Sequence, residues 1–240
     1  MILLIMKKLI IGATGSIGSA LSRKLVKQGK SVHLVGRNEA ELSSLAKELD
    51  SSYSIADVLT ENYSDQILND SGDDIDGLAF CVGSIDLKPI RLSKKSDYMQ
   101  SFNLNLISAT EIIRAYHEKL KSNKGSIILF STVAARRGFM NHSIISSAKA
   151  AVEGLTVALA AEFAPNIRVN CIAPSLSNSK IAEPMLKNKA LADGIAKANP
   201  LKRLGEGKDS ASLAKFLITD DSSWVTGQII AVDGGRSKLS

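Results

Sequence analysis

The alternation of short apolar runs with longer amphipathic segments most constrains the fold of this 240-residue chain. Apolar runs rich in β-branched residues predict strands, and apolar residues at helical spacing predict helices. Predicted strands cover 7–11, 31–36, 53–56, 77–82, 126–131, 167–172 and 228–232, and predicted helices cover 16–28, 39–49, 96–121, 146–164 and 208–219. Strands alternating with helices of this length need crossover connections. We therefore expect an α/β fold, a Rossmann-type doubly wound parallel sheet of about seven strands with helices on both faces.

The length suits a single domain over 1–240, because a chain of this size can bury a substantial core. The most irregular stretch is 175–207, which is rich in Ser, Asn, Lys and Pro. Unstructured connections of that length are often functional, and active-site lids are among them. We therefore predict one domain with a substrate lid near 175–207.

The composition argues against two classes of function. The formal net charge is +6, but the lysines are scattered and no basic stripe alternates with aromatic residues, so no nucleic-acid partner is expected. The chain has two cysteines and three histidines, and none of them has metal-ligand spacing. We therefore expect no metal site.

The sequence carries no clear signal for a membrane or for secretion. The opening MILLIM is apolar, but it is too short for a membrane span, and neither a longer apolar run nor a small-residue cleavage site follows it. Cys81 and Cys171 lie in apolar segments, which favours buried free thiols in a reducing compartment. We therefore expect a cytoplasmic protein without a membrane partner.

A glycine-rich turn follows the first predicted strand and opens the first predicted helix. Glycines at this spacing let the main chain approach a pyrophosphate, whose charge is stabilised by free N–H groups at the helix N-terminus. An ordinary turn needs one glycine, whereas three at this spacing after a strand are typical of a dinucleotide site. The predicted cofactor-binding residues here are Gly12, Thr14, Gly15, Ser16, Ile17 and Gly18.

The end of the second predicted strand indicates which dinucleotide is bound. NAD-binding units usually place an Asp or Glu there, which binds the ribose 2′-hydroxyl. Here Gly36 takes that place and Arg37 follows it. A guanidinium can bind a 2′-phosphate in a bidentate manner and no carboxylate repels it, so we expect NADP(H) rather than NAD(H). The alternative is that Arg37 is an ordinary solvated loop residue.

These motifs together resemble the short-chain dehydrogenase/reductase family over nearly the whole chain. The segments that carry the resemblance are Asp57-Val58, Asp76-Gly77-Leu78, Cys81-Val82-Gly83, FNLNLIS around Asn105, IRVNCIAPS (167–175), NPLKRLGE (199–206) and WVTGQIIAVDGG (224–235). The resemblance implies an NAD(P)-dependent oxidoreductase that acts on a small-molecule substrate. It also implies a homodimer or homotetramer, built through the helices over 103–121 and 146–164.

The resemblance assigns roles to single residues. Asn105, Thr132 and Lys149 match three of the family's four catalytic positions, and Ser131 offers a second hydroxyl if the alignment slips by one residue. The family's cofactor contacts fall on Asp57, Val58, Cys81, Gly83, Lys149, Pro174 and Ser179. The fourth catalytic position belongs to a tyrosine in the family, and Ile145 stands there.

The missing tyrosine matters because hydride delivery to a carbonyl leaves an alkoxide that needs a proton. General acid catalysis contributes ~10²–10⁴ in rate, and an alkyl side chain has no proton to give. His142 lies seven residues before Lys149, the spacing at which the family's enoyl reductases place their tyrosine. An imidazole can act as a general acid, so His142 is the candidate substitute. The sequence leaves open whether His142, water or neither replaces the phenol.

Two functions therefore stay open. The first is an NADP(H)-dependent oxidoreductase that acts on a carbonyl or on an activated double bond, whose enolate product is a weaker base than an alkoxide. The second is a dinucleotide-binding scaffold or redox sensor that has lost turnover, which Ile145 favours. Asn105, Thr132 and Lys149 favour the first function, because a protein that only binds has less need of them.

Overall fold

A seven-stranded parallel sheet forms the centre of the computed structural model, which describes residues 6–239. Most of the apolar opening segment, 1–5, lies outside the described residues. In chain order the strands are β1 (Lys7–Ile11), β2 (Ser31–Gly36), β3 (Ser52–Ile55), β4 (Ile75–Phe80), β5 (Ser126–Phe130), β6 (Arg168–Pro174), β7 (Ser177–Asn178), β8 (Gly205–Glu206) and β9 (Ile229–Val232). The main sheet has the order β3-β2-β1-β4-β5-β6-β9, and β7 and β8 form a separate pair. The expected doubly wound parallel sheet is confirmed.

Helices cover both faces of this sheet. In chain order they are α1 (Ser16–Lys27), α2 (Glu39–Leu49), α3 (Tyr63–Ser71), α4 (Lys95–Phe102), α5 (Ser108–Ser122), α6 (Ser143–Phe163), α7 (Glu183–Leu186), α8 (Lys189–Ala198) and α9 (Gly207–Ile218). One core cluster joins Leu9 and Ile11 of β1 to α3, α5 and α6. A second cluster joins Ile10 to α1, α2 and α9. Because neighbouring side chains of a strand point to opposite faces, β1 contributes to both cores.

The fourth strand differs from its predicted range of 77–82, since β4 begins at Ile75 and ends at Phe80. Asp76 and Gly77 have low strand propensity, and so the sequence pattern starts too late. The neighbouring strand compensates for that propensity. Lys8 pairs in register with Gly77, and the Lys8 ammonium lies 2.7 Å from the Asp76 carboxylate.

Three helical segments were missing from the sequence prediction. In α3 the buried apolar side chains Tyr63 and Ile67 carry the contact with the core, and this pattern is too short to stand out. The lid over 175–207 is not irregular as expected, because it contains α7, α8 and the β7–β8 pair. Helices this short depend on tertiary packing more than on their own sequence.

The predicted helix over 96–121 is divided. A π-helical turn over Asn103–Ile107 separates α4 from α5. A π turn inserts one extra residue into a helix and is often found at functional positions. The turn rotates the residues that follow it, which a periodic sequence pattern cannot reveal.

The helix α6 is long and apolar enough to span a membrane by length and composition alone. Its apolar content has another explanation in this fold. Side chains such as Val152 and Ala160 are buried in the core cluster on the sheet. The helix is therefore a core element of the domain.

A buried histidine links β2 to β3. The imidazole nitrogens of His33 lie 2.9 Å from Ser52 Oγ and 2.8 Å from Ser54 Oγ. The pKa of His33 is lowered to about 4. Burial is the main cause and the nearby Lys7 ammonium adds to it, whereas Asp70 opposes the shift. His33 is therefore neutral in the folded protein at neutral pH.

We predict that stability falls on acidification because of His33. The unfolded imidazole takes up a proton below its ordinary pKa of 6.5, whereas the folded one resists protonation until about 4. Stability is thus highest above pH 6.5, and roughly 1–3 kcal/mol is lost as the pH falls to about 4. Urea unfolding at pH 8 and pH 5 measures the loss, which His33→Gln should reduce. His117→Gln, which changes a histidine on α5, is the control; an unchanged pH dependence in His33→Gln contradicts the assignment.

Candidate active site

Two positions of the glycine-rich turn between β1 and α1 require glycine. Gly12 has φ +79°, a conformation that favours glycine. A Cβ on Gly18 would lie 2.4 Å from the carbonyl oxygen of Gly12. The first turn of α1 has no acidic residue, and its N-cap residue, Gly15, has no side chain that could cap the helix. The N–H groups at this helix end are therefore open to an anion, which fits the pyrophosphate of a dinucleotide.

The end of β2 forms the other part of the nucleotide site. Arg37 is 78% exposed, and its Nη1 lies 3.8 Å from Oδ2 of Asp57, which follows β3. A Cβ on Gly36 would lie 3.6 Å from Thr14 Oγ1, so the glycine-rich turn and the end of β2 are neighbours. Val58, also a predicted cofactor contact, is buried in the core. The fold thus brings an exposed guanidinium to the edge of the glycine-rich turn.

A cavity of about 400 Å³ lies at the carboxyl ends of the strands, between the α1 turn, α6 and the lid. Predicted site residues that line it are Ser16, Ile17, Cys81, Gly83, Thr132, His142, Lys149, Pro174 and Ser179. Much of the remaining wall is apolar and includes Ile85, Phe130, Ile145, Ile181 and Met185. One cavity therefore connects the predicted phosphate end to the predicted catalytic residues.

Lys149 is the buried cation of this cavity, with 6% of the residue exposed. Its ammonium donates a hydrogen bond of 2.8 Å to the carbonyl oxygen of Phe130, the last residue of β5. Burial lowers the pKa of Lys149 to about 8, and the nearby thiols of Cys171 and Cys81 oppose the shift. The group is therefore mostly charged at neutral pH, yet it releases a proton far more readily than an exposed lysine does.

Asn105 presents an unsatisfied acceptor beside this ammonium. It lies in the π turn, and its Nδ2 donates a hydrogen bond of 2.9 Å to the carbonyl oxygen of Ser101. Its Oδ1 is buried without a hydrogen-bond partner among the described residues. A Cβ on Gly83 would lie 3.1 Å from that Oδ1 and 3.2 Å from Lys149 Nζ. The space kept open by Gly83 thus adjoins both polar groups and fits a small hydrogen-bonding group.

The structure separates the two hydroxyls that the sequence left as alternatives. Ser131 donates a hydrogen bond of 2.9 Å to the Glu153 carboxylate, which is also paired with Arg136 at 2.5 Å. Thr132 makes only long contacts, 3.3 Å from the Ala134 nitrogen and 3.4 Å from the Pro174 carbonyl. Both residues line the cavity, but the Thr132 hydroxyl is the more weakly held, so Thr132 is the better placed of the two to bind a substrate oxygen.

The wall one helical turn before Lys149 is apolar. Ile145 is buried there, and none of the described residues lining the cavity is a tyrosine. Tyr98 approaches α6 from α4, but its hydroxyl bonds to Ser143 Oγ at 3.0 Å. A phenol from elsewhere in the described chain therefore does not fill the place.

His142 immediately precedes α6 and lines the same cavity. Its Nδ1 lies 2.6 Å from the carbonyl oxygen of Met140, and its ring is 5.4 Å from the ring of Phe139. If Nδ1–H donates to that carbonyl, Nε2 is the acceptor nitrogen of the neutral ring, and only the imidazolium form carries an Nε2 proton that it can give to a substrate. The position is compatible with proton transfer.

The two cysteines are not activated. Burial raises the pKa of the Cys81 thiol to about 12 and that of the Cys171 thiol to about 12, although Lys149 opposes both shifts. Both thiols are thus protonated at neutral pH, and a thiol is a far weaker nucleophile than a thiolate. A function based on thiol chemistry is disfavoured.

Several groups in the site were not predicted from the sequence. They are the main-chain carbonyl of Phe130, the Asn105 partner Ser101, and the wall residues Phe139, Met185, Ile195 and Arg236. A carbonyl carries no residue-type signal, and the wall residues come from distant segments. Only Ser101 has a local signal, since it lies one helical turn before Asn105.

Comparison with known proteins gives a consistent result. A family model described as enoyl-(acyl carrier protein) reductase matches residues 12–237. A tropinone reductase homolog of Arabidopsis thaliana is 34% identical over 238 residues, which cover 95% of this chain and 90% of the relative. A short-chain type dehydrogenase/reductase from Mycobacterium ulcerans superposes with a TM-score of 0.88 at 28% identity, covering 97% of this chain and 90% of that chain. The fold is also shared with a gluconate 5-dehydrogenase from Burkholderia cenocepacia, solved with NADP and tartrate (TM-score 0.90, 24% identity, covering 98% and 96% of the two chains).

We predict that Gly18→Ala disrupts the dinucleotide turn, because the new Cβ meets the Gly12 carbonyl oxygen at 2.4 Å. Overpacking of this kind costs roughly 1–3 kcal/mol of stability. If displacement of the turn weakens the free energy of dinucleotide binding by a similar amount, the affinity falls about tenfold or more. Thermal unfolding and calorimetric titration with NADP⁺ measure the two effects. Gly154→Ala in α6, where a Cβ meets nothing within 4 Å, is the matched control; equal behaviour of the two variants contradicts the prediction.

Proposed function

The chain belongs to the short-chain dehydrogenase/reductase family, and from this membership we propose that it is an NADP(H)-dependent oxidoreductase that reduces a carbonyl or an activated double bond without the usual tyrosine. The family and the relatives support an oxidoreductase of this type. The observation that carries the proposal is the shared cavity, which joins the open end of α1 to Lys149 and Thr132.

The preference for NADP(H) rests on charge at the end of β2. Arg37 is exposed there, and Gly36 stands where a carboxylate would repel a phosphate. Asp57 lies 3.8 Å from Arg37 and occupies only part of its hydrogen-bonding capacity, since a guanidinium has five N–H donors. Arg37 can therefore hold a 2′-phosphate while keeping this neighbour.

The residues of the cavity divide the remaining tasks. The reduced dinucleotide, when bound, supplies the hydride. Lys149, held by the Phe130 carbonyl, keeps a positive charge close to the reacting centre and can bind the hydroxyls of a ribose. Thr132 can donate its hydroxyl to the substrate oxygen, where negative charge develops.

The proton must come from a group other than a phenol, because Ile145 occupies that place on the wall. We propose His142 or a water molecule as the donor. Reduction of an activated double bond lowers the demand on this donor, since its enolate product is a weaker base than an alkoxide. The apolar walls around Ile145 and Ile85 also suit a substrate with a hydrocarbon part.

The second candidate function is a dinucleotide-binding scaffold or redox sensor without turnover. The apolar wall at Ile145 supports it, since a protein that only binds needs no acid. The buried, hydrogen-bonded Lys149 beside Asn105 speaks against it, because burying a cation is costly.

We further propose a homodimer or homotetramer in the cytoplasm. The apolar side chains of Val157 on α6 and Trp224 before β9 are exposed on the single chain, and association would cover such surface. Light scattering gives the mass in solution, and a monomer would contradict the proposed assembly.

We predict measurable NADPH oxidation by the unmodified protein over a panel of aldehydes, ketones and enoyl thioesters. Lys149→Ala should abolish it, because the variant lacks the buried charge beside the substrate. Ile145→Tyr, which restores a phenol one turn before Lys149, should raise activity toward ketones by ~10²-fold or more if the acid is the only missing part. Absorbance at the reduced-nicotinamide band follows the reaction.

The outcomes separate the two functions. Activity in the unmodified protein establishes an enzyme with an altered acid, and the substrates that respond give the class. If the protein binds a dinucleotide but acts on no substrate, the proposal is contradicted and the scaffold function is supported. If carbonyl reduction appears only in Ile145→Tyr, the protein is a reductase that has lost its proton donor. Ile145→Leu controls for a change of wall shape without a new acid.

We predict that His142→Asn lowers kcat by ~10²–10⁴ at saturating NADPH if His142 donates the proton. The KM for NADPH should stay unchanged. The variant should also show the same decrease of kcat/KM as the unmodified protein when the pH rises through about 8, where Lys149 loses its charge. Rates measured from pH 6 to 10 test both parts. His117→Asn is the control, and a rate equal to that of the unmodified protein in His142→Asn would assign the proton to water.

A further inference from the structure

An ion pair joins the lid to the nucleotide half of the site. Lys180 opens a one-turn helix, Lys180–Ala182, directly after Ser179. Its ammonium lies 2.6 Å from Oε1 of Glu41, a residue 139 positions away in the sequence. The ion pair between Lys187 and Glu183 in the same lid is local by comparison. Its two residues are four positions apart, and its atoms are separated by 3.4 Å.

Glu41 belongs to the region that would hold the 2′-phosphate. It lies in the first turn of α2, and its backbone nitrogen donates a 3.0 Å hydrogen bond to the side chain of the N-cap residue Asn38. Arg37 directly precedes that cap. The Lys180 ammonium therefore contacts the first turn of the helix that follows Arg37, although its own chain segment belongs to the lid.

The other end of the contact belongs to the catalytic cavity. Ser179, the neighbour of Lys180, lines that cavity together with Ile181 and Met185 of the lid. A dinucleotide that reaches from Arg37 across the α1 turn to Ser179 would run beneath this connection. The Lys180–Glu41 pair thus joins the segment that contributes Ser179 to the helix that follows Arg37.

The charges at this point favour a phosphate over the carboxylate. Lys180 is 74% exposed at its side chain, and an exposed pair of this kind is weak. A phosphate monoester carries nearly two negative charges and three acceptor oxygens, so it competes well for the ammonium. Glu41 alone would repel that phosphate, and Lys180 offsets its charge.

We infer that Lys180 is a specificity-determining residue, whose ammonium recognises the 2′-phosphate of NADP(H) from the lid and fastens the lid over the phosphorylated dinucleotide. The inference rests on the proposed function, since it concerns the same cofactor. It adds that the lid responds to the phosphate itself, so that NADPH holds the lid in place more firmly than NADH does.

Binding of NADPH and NADH to the complete protein tests the inference by nucleotide fluorescence, without any substrate. Lys180→Gln should weaken NADPH binding by about tenfold, the scale of one charge-assisted hydrogen bond. NADH binding should change by less than about twofold, because no phosphate contact is lost. Lys180→Arg should retain NADPH affinity, and Glu41→Gln should leave it equal or tighter.

Lys187→Gln is the matched control, because Lys187 is a lid lysine with 73% of its side chain exposed that pairs within its own helix. It removes the same charge from the same lid and should leave both affinities unchanged. Hydrogen exchange in 180–198 provides a second measurement. NADPH should protect this segment in the unmodified protein and not in Lys180→Gln, while NADH should protect it in neither.

The inference is overturned if Lys180→Gln weakens NADPH and NADH equally, if it weakens neither, or if Lys187→Gln has the same effect. Failure of the unmodified protein to bind either dinucleotide is a different result. It would overturn the proposed function and this inference with it, whereas tight NADPH binding that ignores Lys180 would overturn the inference alone.

Discussion

The parallel pairing of β1, β4, β5 and β6 is the constraint on which the rest of the site depends. In a parallel sheet the carboxyl ends of the strands meet at one edge, so the loops that follow them converge there. The last residue of β5, Phe130, offers the carbonyl that holds the Lys149 ammonium. The loops after β1 and β4 add the helix end and Gly83, and the last residue of β6, Pro174, also lines the cavity. Any change of register would separate these groups.

Desolvation explains much of the character of the cavity. Burial lowers the pKa of Lys149 to about 8, while the Phe130 carbonyl accepts a hydrogen bond from its ammonium. The wall one helical turn before it, at Ile145, is apolar, and no described residue that lines the cavity offers a phenol beside the ammonium. A site built this way keeps the charge that binds and orients but loses the usual acid. That combination suits a reaction whose product is a weak base, or a proton taken from His142.

The lid gives the molecule a means of coupling its two ends. Within the lid, Lys187 pairs with Glu183, which lies four residues earlier. The Lys180–Glu41 contact links the segment over 175–207 to the helix that follows Arg37. If a phosphate takes over that ammonium, cofactor identity and substrate enclosure are decided together. This coupling requires no large motion, since the two elements already touch.

The sequence by itself determined the sheet, the glycine-rich turn after the first strand and an isoleucine four residues before Lys149. These features are local: apolar periodicity, glycines at close main-chain contacts, and a residue type at a fixed spacing from Lys149. Tertiary structure alone decided the bounds of β4, the π turn at Asn105, the helices in the lid and the choice of Thr132 over Ser131. Each of these depends on partners far away in the chain, such as Lys8 for Asp76 and Glu153 for Ser131. Secondary-structure propensity depends on residues that are close in the sequence, whereas packing and hydrogen bonds join residues that are far apart in the sequence.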